Sequence, residues 1–263
     1  MESYFIESAL LGQGIPGITE KELLEHWPTD LNGRIVWMEK GELHTGRIKC
    51  FCRRREETKN WRRICYQDYE MAIDQKMTGV LTASGTMKAC EKENVPYAVS
   101  CGIGGLREGE DISVCHDLQA LRDSNVTLIA TAPKDMFKLD YTIETAYKVG
   151  INILGCNSMM TDGYLFFTDP VEISLFLNKT LPCKGLDGGR RLFLNGIPRE
   201  RRIKERKIYE QASRRAEDKE KKGEMFHPAF NQELERQTEG RSSKIQLDSL
   251  ISNIQWLENM LRQ

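Results

Sequence analysis

Between residues 97 and 155, short apolar runs rich in β-branched residues alternate with segments of helical period, and glycines mark most of the junctions. Tyr97–Ser100 is a strand-like run that ends in Gly102-Ile-Gly-Gly105. Ile112–Arg122 reads as a helix and Val126–Thr131 as a buried strand. Lys138–Val149 is again helical, Gly150 closes it as a C′ glycine, and Ile151–Leu154 supplies a third strand before Gly155. A βαβαβ order demands parallel strands, so their carboxyl ends share one edge, the edge where open α/β sheets bind ligands.

The flanks are less regular. Gly33–Glu42 and Thr45–Cys50 suggest a hairpin, while Tyr66–Lys76 and Ser84–Glu93 suggest helices. Residues 199–222 form a charge-dense helix with eleven basic and six acidic side chains, read as a solvated face or, alternatively, as a phosphate-contacting surface. Pro228 interrupts the tail, and Leu247–Leu261 closes it as an amphipathic helix with Leu250, Ile254, Leu257 and Leu261 on one stripe. The whole reads as one domain, 1–263, with a charged helical C-terminal part at 199–263.

Charge and cysteine usage exclude several classes. Thirty-eight Lys and Arg balance thirty-nine Asp and Glu, for a formal net charge of −1, so neither nucleic acid nor an anionic membrane is an expected partner. Mean hydropathy is −0.51, and no apolar stretch approaches the roughly 20 residues that span a bilayer. The expected location is the cytoplasm. Eight cysteines lie singly at 50, 52, 65, 90, 101, 115, 156 and 183, and none of the four histidines has zinc-ligand spacing, so free thiols are the expected state.

Several positions have chemical potential. Lys134 follows the strand ending at Thr131 and is led in by Pro133. A lysine at such an edge is either a surface or phosphate-binding group or, where partly desolvated, an amine able to form a Schiff base with a carbonyl. The glycines at 102–105 either make a tight turn or present bare amides to an anion. Glu7 follows the apolar Tyr4-Phe5-Ile6, where a carboxylate is costly to bury unless it is paired or used as an acid or base. Arg53–Arg55 with Lys59, Trp61, Arg62 and Arg63 read as a solvated basic loop, with Arg63 entering a phosphate site.

Taken together, these positions resemble the pseudouridine-5′-phosphate glycosidase family, also called indigoidine synthase A-like. Phe5–Leu10 with Gly14-Ile-Pro16 resembles its opening "ALESTIISHGMP", Gly79–Met87 its "GATTVAATM", and Ser100–Gly105 its "ATGGIGG". Asp117-Leu118 is similar to the end of "DISADL", Thr131–Lys134 to "SGAK", Asn195-Gly-Ile-Pro198 to "NPIP", and Gly240–Asn259 to the family's tail.

The resemblance implies a three-layer α/β/α sandwich with a central, largely parallel sheet, assembled as a homotrimer. It implies an enzyme that cleaves, or forms, the carbon–carbon glycosidic bond between ribose 5-phosphate and a pyrimidine such as uracil. Lys134 would form the imine with the sugar C1, Glu7 would protonate the departing carbon, and Asp117 would handle protons beside the lysine. Arg63, Ala83, Arg107, Cys115, His116 and Asn195 would bind the sugar-phosphate or C-nucleotide substrate, with Asn195 on the base. A divalent metal, manganese, would sit near Asp111 or Asp117. Arg63 and Arg107 replace a lysine and a histidine of the family, Cys115-His116 replace Ser-Ala, and the segment from Leu154 to Asn195 is shorter than in the family. The rival readings are a biosynthetic C-glycosynthase and a non-catalytic sugar-phosphate-binding relic.

Overall fold

Tyr4–Glu7 is buried at all four positions, and a strand covered on both faces belongs inside a sheet. A computed structural model describes residues 4–173, 175–176, 191–223 and 226–262. Its strands in chain order are β1 (Tyr4–Glu7), β2 (Arg34–Glu39), β3 (Glu42–Gly46), β4 (Arg62–Ile64), β5 (Gly79–Leu81) and β6 (Tyr97–Val99). They continue with β7 (Thr127–Ala130), β8 (Asn152–Gly155), β9 (Met160–Thr161), β10 (Val171–Glu172), β11 (Leu175–Phe176) and β12 (Arg191–Leu194). Ten of them form one sheet in the order β11-β8-β12-β7-β6-β1-β2-β5-β4, with β3 also on β2. From β11 to β2 every pairing is parallel.

The run 97–155 therefore forms the expected parallel strands, with one difference. β7 and β8 are not neighbours, because β12 inserts between them and pairs in parallel with both. Alternate residues of each strand face opposite sides. Ile6, Val99, Ile129 and Phe193 enter one apolar core, roofed by helices including Arg206–Glu220, Phe226–Gln237 and Arg241–Leu261. Phe5, Ala98, Leu128 and Leu192 enter the other, under helices Ala83–Lys92, His116–Asp123 and Leu139–Lys148. Sheet and helices thus form the α/β/α sandwich. Gly150 ends the last of these helices at φ +83°, a conformation that costs glycine little.

The most consequential pairing lies on β2. One edge of β2 is lined by β3 over Ile35–Glu39; the other is shared by β1, which covers Arg34–Val36, and by β5, which covers Trp37–Met38 and runs in the opposite direction. The carboxyl ends of β1 and β5 therefore face each other. The Leu81 amide donates to the Ser8 hydroxyl at 2.9 Å, closing the seam.

Several sequence expectations are corrected. The second hairpin arm is Glu42–Gly46, and Ile48–Cys52 turns into a short helix. The helix expected over Tyr66–Lys76 shrinks to Tyr69–Asp74. Ile112–Arg122 divides into a 3-10 turn, Ile112–Val114, and a helix beginning at His116, because Cys115 is extended at φ −114°, ψ 100°. The charged helix begins only at Arg206. Before it, Arg202 is not solvated but 3% exposed, donating Nε to the Ile197 carbonyl and paired through Nη2 with Asp162 at 2.7 Å. Pro228 does not interrupt the tail, since it lies in the first turn of Phe226–Gln237, where its missing N–H breaks no helical bond. Cys183 lies outside the described residues. The other seven cysteines are free, and no described helix is long and apolar enough to cross a membrane.

Helix Arg241–Leu261 is riveted to the sheet by one amide. Asn253, fully buried, donates to the Ser100 carbonyl at 2.8 Å and to the Thr131 hydroxyl at 3.1 Å, and accepts from Asn195 Nδ2 at 3.1 Å. An orphaned buried polar group costs about 1–3 kcal/mol. Asn253→Ala is therefore expected to lower stability by at least that amount in a denaturant titration, whereas an unchanged midpoint would show that these bonds contribute nothing net.

Candidate active site at the convergent strand ends

Four strand ends meet where β1 and β5 abut. From β1 comes Glu7, from the turn after β5 Ala83 and Ser84, from β6 Ser100 and the glycine turn, and from β7 Lys134. The turn after β6 is fixed to that after β7, since Lys134 N donates to the Ile103 carbonyl at 3.0 Å and Ile103 bridges Pro133. Gly105 has to be small, for a Cβ there would lie 2.8 Å from Cβ of Phe137.

These ends open on a cleft of about 660 Å³ whose wall includes Glu7, Arg63, Ala83, Arg107, Cys115, His116, Asp117 and Lys134. The sequence expectations for these eight residues therefore converge in space. Glu7 is 6% exposed and accepts a 2.5 Å hydrogen bond from the Ser100 hydroxyl. Burial pushes its carboxyl above the usual glutamate range. The Ser100 bond and the charges of Lys134 and Arg63 oppose that shift, and the charge of Asp117 reinforces it. Glu7 thus tends to hold its proton.

Asp117 is in the first turn of helix His116–Asp123 and serves two loops at once. Its Oδ1 accepts from Ser84 N at 3.0 Å and its Oδ2 from Gly104 N at 2.8 Å, so it braces the β5 and β6 turns against each other. Cys115 beside it is 4% exposed, and burial pushes its thiol up to about 12, leaving it unreactive as a nucleophile. At the mouth, Arg107 meets Glu220 at 3.5 Å and stacks its guanidinium 4.8 Å above the Phe226 ring.

Two expected residues lie elsewhere. Asn195 is 5% exposed and spends its amide on Ser252 Oγ, Asn253 Oδ1 and Asn157 Nδ2, each within 3.1 Å; it lines no part of the Lys134 cleft and is a strut under the C-terminal helix. Asp111 is exposed and outside the cleft, and its carboxylate caps the 3-10 turn by accepting from Ser113 N at 2.6 Å. Among the described residues no three His, Cys, Asp or Glu side chains converge as a metal site.

Sequence reasoning missed Ser100, Ser84, Glu220 and Asp135. Ser100 is foreshadowed by its place just before the glycine turn, whereas Glu220 on a charge-dense helix gives no signal. Asp135 is buried and accepts from three successive amides, Tyr164, Leu165 and Phe166, at 2.9–3.1 Å. It anchors the segment after β9 next to Lys134; burial raises its carboxyl to about 6 against the pull of those amides.

Comparison with known proteins places this arrangement. The crystal structure of the prealnumycin C-glycosynthase AlnA in complex with ribulose 5-phosphate superposes with a TM-score of 0.74 at 20% identity, covering 96% of this chain and 88% of that one. An indigoidine synthase A-like protein of Thermotoga maritima gives 0.75 at 17% identity, covering 98% and 91%. In sequence, a pseudouridine-5′-phosphate glycosidase of Geobacillus kaustophilus is 24% identical over 215 residues, 76% of this chain and 71% of that one. One from Petrotoga mobilis is 24% identical over 274 residues, covering 95% and 88%. Fold, site and relatives together define a glycosidase-like α/β enzyme. The profile of the indigoidine synthase A-like proteins matches residues 35–257, and the chain belongs to that family.

Glu7 also sets a stability signature. Below the ordinary glutamate pKa of about 4.3 both folded and unfolded states hold the proton. As pH rises past that value only the unfolded chain ionises readily, so Glu7 lowers stability progressively up to its raised folded pKa. Glu7→Gln keeps an acceptor for Ser100 and removes the buried charge. It is expected to raise Tm at pH 8 by at least about 2 °C and by nothing at pH 4, a contrast that differential scanning calorimetry would detect.

Proposed function

We propose that this enzyme cleaves or forms the carbon–carbon bond between C1 of a 5-phosphorylated pentose and a planar ring, through an imine on Lys134. The observation that carries the reading is the joint wall of one cleft: a lysine amine and a proton-retaining glutamate, on opposite sides of a turn braced by Asp117. A carbon leaving group has no lone pair to protonate before departure, so acid catalysis alone is a poor route; a nitrogen on the sugar carbon, whose lone pair closes a C1=N bond as the ring carbon departs, makes the bond breakable.

In the cleaving direction, Lys134 Nζ bonds to C1 and the ring oxygen leaves C1, taking a proton to become a hydroxyl. The C1–carbon bond then breaks. Its electron pair stays with the departing ring carbon, which receives the Glu7 proton, while the nitrogen lone pair closes the C1=N bond. Water hydrolyses that imine, releasing the pentose phosphate and the free amine. Synthesis runs the same steps in reverse.

Burial raises the hold of Glu7 on its proton, which suits a proton donor, and Arg107 and His116, in the wall of the same cleft, meet the phosphate. The names of the glycosidase relatives and the ribulose 5-phosphate held by the C-glycosynthase support this substrate class.

Borohydride reduction in the presence of ribose 5-phosphate, followed by peptide mass mapping, tests the imine. A reduced pentose-phosphate adduct on Lys134, absent from Lys134→Ala, is the expected result; a folded protein without adduct would overturn the reading. With pseudouridine 5′-phosphate as substrate, Glu7→Gln is expected to slow cleavage by about 10²–10⁴ while leaving adduct formation from ribose 5-phosphate intact.

A further inference from the structure

Ser100 stands between two acceptors and has one hydrogen to give. Its Oγ lies 2.5 Å from Glu7 Oε2 and 3.0 Å from the Gly102 carbonyl oxygen. A serine hydroxyl carries a single O–H and two lone pairs, so it cannot donate to both oxygens at once. One of the two contacts therefore needs a proton from elsewhere. Ser100 is wholly buried and Glu7 is 6% exposed, so bulk water does not supply it. A carbonyl oxygen has no hydrogen to offer, whereas a protonated carboxyl has one, which leaves Glu7 itself as the source.

The two protonation states of Glu7 thus define two hydrogen-bond chains. With the proton on Oε2, Glu7 donates to Ser100 Oγ and Ser100 donates to the Gly102 carbonyl, so both contacts are hydrogen bonds and each polarises the next. With Glu7 ionised, the hydroxyl turns to the carboxylate, because a bond to a charged acceptor is roughly twice as strong as one to a neutral acceptor. The Gly102 carbonyl then loses its Ser100 donor.

The surroundings hold the heavy atoms in place while the hydrogen moves. The Asn253 amide grips the Ser100 carbonyl at 2.8 Å, and the Tyr164 ring packs on Gly102, where a Cβ would lie 3.0 Å from its Cζ. Of the charged groups that face Glu7, Lys134 and Arg63 favour its ionised form and Asp117 opposes it; the Cys101 thiol nearby is pushed up to about 12 by burial and stays neutral. Gly102 lines the Lys134 cleft, and the next residue, Ile103, accepts from Lys134 N at 3.0 Å. A change at the Gly102 carbonyl is therefore one residue from the contact that seats Lys134.

We propose that Ser100 is a positioning residue that couples the proton of Glu7 to the glycine turn: its hydroxyl hydrogen rests on the Gly102 carbonyl while Glu7 is protonated and swings to Glu7 when that proton leaves. Its bearing on proton delivery to a departing ring carbon rests on the lyase reading above; the exchange of partners does not.

Infrared spectroscopy of the full chain reads the coupling without substrate. Below the pH at which Glu7 ionises, the C=O stretch of its acid form is expected as a band absent from Glu7→Gln. In Ser100→Ala that band is expected to move up, toward the frequency of a carboxyl with no partner, and in Ser100→Thr, which restores the hydroxyl, to return. Ser100→Cys, with its weaker donor, replaces Ser100→Ala should the latter not fold. The pH at which the band fades is expected to rise by about one or more in Ser100→Ala, because the ionised carboxylate loses a donor.

A band at one frequency with and without the hydroxyl overturns the proposal, and an unchanged fading pH overturns the swing to the carboxylate. Where the band persists over the whole pH range of the folded protein, its frequency alone decides. A band that responds as expected while borohydride trapping fails keeps the coupling and removes the lyase reading. Trapping with an unresponsive band does the reverse.

Discussion

The Ser8 hydroxyl that receives the Leu81 amide stands at the point on which the molecule depends. A parallel sheet normally aligns all its carboxyl ends on one edge. Here β1 and β5 run toward each other along a single edge of β2, and their ends collide rather than align. The collision brings Glu7, on one strand, within reach of the Ala83–Ser84 turn that follows the other. Asp117 then ties that turn to the glycine turn after β6. Remove the seam, and the groups that face one another across the cleft no longer share a wall.

Burial explains both what the site does and what it costs. Glu7 keeps its proton because it is removed from water, and the same removal makes its ionised form a liability to the folded state. Asp135 solves a similar problem differently, offering its charge to three backbone amides. One carboxyl is thereby left with a raised hold on its proton, and the other is committed to holding a loop beside Lys134.

Local signals were enough for much of this. The βαβαβ rhythm, the glycine turn and the lysine after a buried strand follow from periodicity and dipeptide chemistry, and Glu7, Asp117 and Lys134 do meet. What stayed hidden depends on contacts between distant segments. β12 is a short run that pairs between two consecutive strands of that rhythm, and nothing local says where it inserts. Asn195 looks like a binding residue in its motif, yet its amide is consumed by Ser252 and Asn253, nearly sixty residues onward. Asp111 looks like a ligand, but the break at Cys115 leaves it capping an exposed turn.

The Asn253 rivet has a consequence for biosynthesis. Helix Arg241–Leu261 is translated after every strand of the sheet, yet it holds the ends of β6 and β7 through Ser100 and Thr131, and its Glu258 accepts from the Tyr4 hydroxyl of β1 at 2.5 Å. At roughly 5–20 residues per second, the end of this helix is made about 3–13 s after the last strand, and for that time part of one apolar face lacks its cover. The groups that line the cleft therefore reach their positions late in synthesis, and an incomplete chain holds Lys134 and Glu7 without the framework that brings them to one wall.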